Sequence, residues 1–255
     1  MTIKVAVVGA TGKLGQLVAH VIEDSEDFEL FAGLGSQSPL SEMVGADIVV
    51  DVTLPHVSPT VVDYAIEHGM SVLVGTSGWS SEQIRELEAK IGSDSPIGVV
   101  IISNFSLGSV LATIFATLAS RFFDSVEIIE AHHSTKVDAP SGTAVRTAEL
   151  IHDARSGLPQ LEPPGMTSPA RGAVVAGIPI HSLRMRGVVS RQDVIFGGNS
   201  EMLTVSHETV AHGAYEAGVL LALRALGGQR GVVVGLDKLI ELDLGTALSE
   251  GGPPA

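Results

Sequence analysis

Short apolar runs at Val5–Val8, Phe28–Ala32, Ile48–Val52, Val72–Val74 and Val99–Ile102 recur through the first hundred residues, separated by segments with helical periodicity. A strand that returns after each helix, with few polar residues inside it, is the pattern of a parallel sheet covered on both faces. Helix starts are marked in the intervening segments. Ser58-Pro59 reads as a cap followed by proline at the first helical position, and Ser80 with Gln83 reads as a capping box.

Beyond residue 106 the pattern changes. The stretch Leu107 to Phe123 is the most apolar helical one, but it contains Ser109, Thr113, Thr117, Ser120 and Arg121. It is also short for a bilayer, which needs ~20 apolar residues, so a buried helix is expected. Strand-like runs then follow at Val126–Ala131, Ile180–Met185, Asp193–Phe196 and Met202–Ser206, joined by loops, with one helix beginning near Ser141. This predicts a second α+β domain with an open, antiparallel or mixed sheet, and a sheet with one bare face calls for a partner subunit. Gly157 to Gly172, rich in Pro and Gly, reads as a loop. The helical run 217–226 and the strand Val232–Val234 are expected to return to the first sheet. The expected organisation is residues 1–105 with 215–250 as one domain, 106–214 as a second domain that also oligomerises, and 251–255 as a disordered tail.

Directly after the first strand stands Gly9-Ala10-Thr11-Gly12-Lys13-Leu14-Gly15, opening the first helix. Glycines there allow a tight turn and a close approach to a pyrophosphate, whose charge is met by free N–H groups at the helix start. The spacing G-x-x-G-x-x-G, joining strand to helix, points to a Rossmann-like α/β domain that binds a dinucleotide, with Lys13 able to face a phosphate. The acid that usually holds the adenosine ribose after the second strand is missing. Gly35-Ser36-Gln37-Ser38 stands there instead, so no carboxylate repels a 2′-phosphate and either NADH or NADPH is expected to bind.

A formal charge of −14 argues against a nucleic-acid partner and against an anionic membrane surface. An anionic ligand must then be held by a local cation or by helix N-termini. With no cysteines, disulfides, thiol catalysis and thiolate metal sites are excluded. Strand-like residues begin at Ile3 without a basic leader, from which a cytoplasmic location is expected.

Residues Glu127 to Ala144 place His132, His133 and Lys136 ahead of Pro140-Ser141-Gly142-Thr143, a helix start whose Gly142 and Thr143 amides are ready for a carboxylate. Adjacent histidines on a strand point to opposite faces, so no shared metal is expected. The remaining histidines have no ligand-like spacing.

That stretch resembles the signature of dihydrodipicolinate reductases, E-[IV]-x-E-x-H-x-x-x-K-x-D-x-P-S-G-T-A, at every fixed position. Asp51-Val52-Thr53-Leu54-Pro55, Gly75-Thr76-Ser77-Gly78, Asn104-Phe105-Ser106 and Gly177-Ile178-Pro179 are similar to further motifs of the family in order. The resemblance implies hydride transfer from a nicotinamide to an unsaturated dicarboxylate, followed by protonation of the resulting carbanion or enamine. It implies His132 as proton donor, and Lys136 as a second donor or the holder of substrate charge. His133, Ser141, Gly142, Thr143 and Ser77 would bind substrate. The coenzyme would be held by Gly9, Ala10, Thr11, Gly12, Lys13, Leu14, Gly35, Thr53, Gly75, Thr76, Ser77, Ile102, Ser103, Asn104 and Phe105. A homotetramer built through the second sheet is also implied. The sequence departs from the usual pattern at Val52, Ser77, Ser103, Gly35 and His212. Two other readings keep the dinucleotide domain: a reductase of another small anionic imine or carbonyl, and a non-catalytic dinucleotide sensor.

Overall fold

Burial on both faces requires a strand to be apolar throughout, and the first sheet meets that requirement in its centre. It is parallel and six-stranded: β1 (Ile3–Val8), β2 (Phe28–Leu34), β3 (Ile48–Asp51), β4 (Ser71–Val74), β5 (Gly98–Ile101) and, late in the chain, β11 (Gly231–Val234). The spatial order is β11-β5-β4-β3-β1-β2. Val49, Val50, Val72, Leu73, Val99 and Val100 are all fully buried, each such side chain contributing roughly 1.5–3 kcal/mol. These strands and the elements around them belong to the computed structural model of residues 2–92, 95–158, 168–240 and 242. The chain divides into two compact units, Met1–Ser103 with Val219–Ala255, and Asn104–Gly218. The tail 251–255 and residues 159–167 of the Pro/Gly-rich loop lie outside the described residues.

Helices α1 (Lys13–Glu23), α2 (Ser58–Glu67) and α3 (Ser81–Ile91) connect the strands. The capping box at Ser80 and Gln83 forms on both sides. Ser58 differs from its expected role. The residue preceding α2 is Val57, with no side-chain cap, and the Ser58 hydroxyl donates instead to Asp51. A buried carboxylate at a strand end competes for that hydroxyl more strongly than the helix's own amides do. Helix α6 (Glu216–Leu226) buries Val219, Ala222, Leu223 and Leu226, a spacing of one helical face, and β11 then pairs in parallel with β5 through Val232–Val99.

The second unit is built on a mixed sheet ordered β10-β9-β6-β8-β7. Its strands are β6 (Ser125–His133), β7 (Ala173–Val175), β8 (Ile178–Met185), β9 (Ser190–Gly198) and β10 (Glu201–Thr209), with β6–β8 parallel and the other pairs antiparallel. β6, β9 and β10 run longer than their apolar runs because polar and glycine residues continue the ladder, and β7, Ala-Val-Val, is an apolar run of only three residues, too short to stand out in the sequence. Helices α4 (Leu107–Ala119) and α5 (Gly142–Ala154) belong to the same unit. Val126, Ile128, Ile178, Ile180, Val194 and Phe196 pack with Ala116, Ala144, Ala148 and Ile151 as its core. The opposite face carries Leu183 and Met185, both exposed. Expected to be buried, Leu107–Phe123 is so on one face only. α4 ends at Ala119 in a short 3₁₀ turn, and Phe115, Leu118 and Phe122 are exposed, because one sheet and one neighbouring helix cover a single side of the cylinder.

Candidate functional site

In the first unit the candidate residues collect where strands end. Between β1 and α1, Gly9 has φ +94 and a Cβ there would lie 2.5 Å from the Val52 carbonyl oxygen. At Gly15 a Cβ would sit 2.2 Å from the Gly9 oxygen. Both positions admit only glycine, and the tight turn they create leads into α1 at Gly12 without a side-chain cap. The amides of Lys13 and Leu14 in the first helical turn have no intrahelical acceptor, and Thr11, Gly12 and Lys13 are exposed. Free amides, an exposed lysine and close-packed glycines fit the pyrophosphate of a dinucleotide.

The turn after β2 is closed by Ser38, whose hydroxyl accepts from the Gly35 amide at 3.2 Å. After β3 and β4, the Thr53 amide donates to the Thr76 hydroxyl at 2.9 Å, while Gly75 donates to the Asp51 carbonyl at 2.8 Å. Ser77 is exposed, and Ser103 after β5 likewise, whereas Ile102 is fully buried, its amide donating to the Val74 carbonyl at 2.8 Å. Sequence reasoning gave Asp51 no role. It is fully buried, and its carboxylate accepts from the Thr53 amide at 3.2 Å, the Thr53 hydroxyl at 2.5 Å and the Ser58 hydroxyl. The Ser58 oxygen is in turn bonded by the Trp79 indole at 2.9 Å. Asp51 therefore sets the loop that carries Thr53, and its place at the end of an all-apolar strand was the available signal.

In the second unit Asn104 folds back on α4. Its side-chain oxygen accepts from the Ser106 amide at 3.0 Å and its amide donates to the Ser109 hydroxyl at 2.9 Å, with Phe105 buried beside it. The chemistry-bearing cluster lies at the end of β6. Alternation along this strand sends Val126, Ile128, Glu130 and His132 to the helix-covered face, so the core stripe turns polar at its last two positions. Register then decides their neighbours. Glu130 stands between Ser182 and Gln192, and His132 between Arg184 and Ser190.

His132 Nδ1 lies 2.6 Å from Glu130 Oε2, and its Nε2 lies 3.1 Å from the Ser190 hydroxyl. Arg184 grips the same carboxylate as a fork, Nη1 to Oε2 and Nη2 to Oε1, both at 2.9 Å. Burial alone would raise the Glu130 carboxyl, but hydrogen bonds from Arg184, Ser182 and His132 and the charge of Arg184 outweigh it and hold the group below the usual carboxylate range. For His132, burial pushes the imidazole down. The bond and charge of Glu130 oppose this, Lys136 and Arg184 add to it, and the net value lies below the ordinary 6.5.

Lys136 Nζ is 2.8 Å from Asp138 Oδ1, and this bond holds the Asp138 carboxyl below its usual range. His133 points to the other face and bonds the Thr135 hydroxyl at 2.8 Å. Ser141 caps α5 by accepting from the Ala144 amide at 3.3 Å, and its own amide donates to Glu130 at 3.2 Å. Ser141 is buried, its hydroxyl oxygen accepting and its amide donating within the unit; Gly142 is exposed, Thr143 half-buried, and their amides are left as the open end of the helix. Glu130 stood inside the stretch quoted from the sequence without a role, and Arg184 and Ser190 carried no local signal. Among the described residues no cluster of His, Asp and Glu could hold a metal ion, and no helix is long and apolar enough to cross a membrane.

Comparison with known proteins matches both units. Residues 3–105 match the family model for dihydrodipicolinate reductase, N-terminus, and residues 105–240 that for dihydrodipicolinate reductase, C-terminus. A 4-hydroxy-tetrahydrodipicolinate reductase of Clavibacter sepedonicus is 62% identical over 243 residues, covering 95% of this chain and 88% of that protein. One from Streptomyces griseus is 39% identical over 94% of this chain and 99% of the relative. Among solved structures, the dipicolinate-bound dihydrodipicolinate reductase from Paenisporosarcina sp. TG-14 superposes with a TM-score of 0.83 at 29% identity, covering 94% of this chain and all (100%) of that one.

Proposed function

The chain belongs to the dihydrodipicolinate reductase family, and from that premise we propose how it performs the reduction of 4-hydroxy-tetrahydrodipicolinate to tetrahydrodipicolinate, in the diaminopimelate route to lysine. The coenzyme is NADH or NADPH, held by the glycine turn and the loops after β2 to β5, and its reduced nicotinamide supplies the hydride. No carboxylate stands after β2 to refuse a 2′-phosphate. In this reading residues 1–105 with 215–250 bind the dinucleotide. Residues 106–214 bind substrate and build a homotetramer through the bare sheet face, and the enzyme works in the cytoplasm.

The observation that carries the mechanism is the placing of His132 in the same unit as an open helix start. One substrate carboxylate is met by the Gly142 and Thr143 amides of α5 and takes Lys136 in exchange for Asp138; His133 contacts the dicarboxylate. That negative charge raises the His132 imidazole toward its protonated form. The 4-hydroxyl departs as water to give the dihydrodipicolinate ring; once that ring has accepted the hydride, the Nε2–H leaves Ser190 and donates its proton to the resulting carbanion or enamine. Backbone amides suit this task because they stay fixed while the substrate's charge is redistributed.

The test uses purified protein, enzymatically generated dihydrodipicolinate, and either coenzyme, followed by nicotinamide absorbance. Rapid, substrate-dependent loss with both coenzymes is expected. No loss with either would overturn the function, and a large preference for NADH would overturn the dual use of coenzymes.

A further inference from the structure

We propose that Glu130, clamped by Arg184, is the positioning residue of the site: one carboxylate that orients the His132 imidazole and ties it to the helix start that receives the substrate. The proposal rests on the reading of His132 as proton donor. It begins from the fork. Arginine is charged at every relevant pH, and its two terminal nitrogens each bond a different oxygen of Glu130, so the carboxylate is ionised and acts only as acceptor. The nitrogen facing it at 2.6 Å must then carry a proton, which makes Nδ1 the donor of the neutral imidazole and leaves the Nε2 lone pair to Ser190. A second proton can only arrive at Nε2. The proton to be given away is thereby assigned to one atom.

The same carboxylate reaches the other half of the site. Oε1 accepts the Ser141 amide at 3.2 Å, fixing the residue that caps α5. Arg184 extends the brace: Nη2 donates to the Asp138 carbonyl at 2.5 Å, in the loop that holds Lys136. Proton donor, helix start and lysine loop are thus referred to one buried group. Stability alone is a weak reason for such an arrangement, because a buried ion pair often contributes no more than apolar residues of the same size. Here the Arg184 Nε is also buried without a hydrogen-bond partner among the described residues, which lowers any stabilising return further. The charged groups facing His132 are Glu130 on its own strand, Arg184 on β8 and Lys136 in the following loop; its β9 neighbour is the neutral Ser190.

Glu130→Gln removes the charge while keeping the shape. In the full chain, turnover is expected to fall on the order of 100-fold with KM for the dicarboxylate nearly unchanged. The descending limb of kcat/KM moves to lower pH, since the carboxylate that favours the imidazolium is gone. Glu130→Asp, which keeps the charge, restores part of the turnover. If Glu130→Gln keeps its turnover and its limb while His132→Ala is slow, the positioning role is overturned and the proton donor stands. His132→Ala at the parent rate overturns the proton donor instead. Imidazole ¹⁵N NMR on the unmodified protein decides the geometry independently of whether a variant folds. A neutral His132 with its proton on Nδ1 supports the proposal, and a proton on Nε2 overturns it.

Discussion

The glycine turn of the first unit and the His132 cluster of the second solve opposite problems. The turn between β1 and α1 presents backbone, and most of its requirements lie within seven residues: a positive φ at Gly9, glycine at 15 where a Cβ would collide with the Gly9 carbonyl, and a helix start left uncapped, with only the Val52 carbonyl against Gly9 coming from farther along the chain. The cluster is made of side chains from three strands and a helix cap. Glu130 meets an arginine 54 residues away and His132 a serine 58 residues away, because the ladder sets β6 between β8 and β9. A backbone site is specified locally and breaks by sterics; a side-chain site is specified by register and breaks by losing a charge or a proton.

The largest expected effect lies in the second region. His132→Ala should lower kcat by about 10²–10⁴-fold while moving KM little, as steady-state kinetics with either coenzyme would show; it removes a donor needed only in the transition state. Gly15→Ala breaks the first region in the contrasting way. Forcing a methyl to within 2.2 Å of the Gly9 carbonyl is expected to cost about 1–3 kcal/mol, seen as a lower melting temperature, with a higher KM for the coenzyme and the dicarboxylate's binding untouched. Ser141→Ala removes the cap of α5 and should lower stability by ~1 kcal/mol, with a higher KM for substrate as the helix start loosens. The smallest effect is on pH dependence. His132 and His207 are both held below their ordinary value, chiefly by burial. Between that lowered value and about 6.5 the unfolded chain takes up protons that the fold refuses. Melting temperature should therefore be full above this window and fall as pH drops through it. In His132→Ala the fall should be shallower, and an unchanged slope would remove that imidazole from the balance.

The sheet of the first unit was legible because its physics is periodic: strands buried on both faces read as unbroken apolar runs, and the segments between them as helices. The glycine turn was legible for the same local reason. Less so was Leu107–Phe123. Its apolar content suggested a buried helix, yet Phe122 is 84% exposed, since how much of a helix is covered depends on how many elements pack on it. Ser58 read as a cap because the pair Ser-Pro usually is one, and the competing acceptor, Asp51, becomes its neighbour only when β3 and α2 are assembled. In the second unit the stretch from Glu127 to Ala144 named His132, Lys136 and the Gly142–Thr143 helix start as candidates, but it did not say what holds them.

From its residues alone, then, this chain committed to a dinucleotide turn, a parallel sheet and a histidine–lysine loop before a helix, since steric demand, burial periodicity and capping all act over a few neighbouring positions. Folding alone decided that Arg184, Ser190 and Ser141 gather on Glu130 and His132, and therefore which ring nitrogen carries the proton. Strand register brings distant side chains within hydrogen-bonding reach, and no spacing along the chain encodes it.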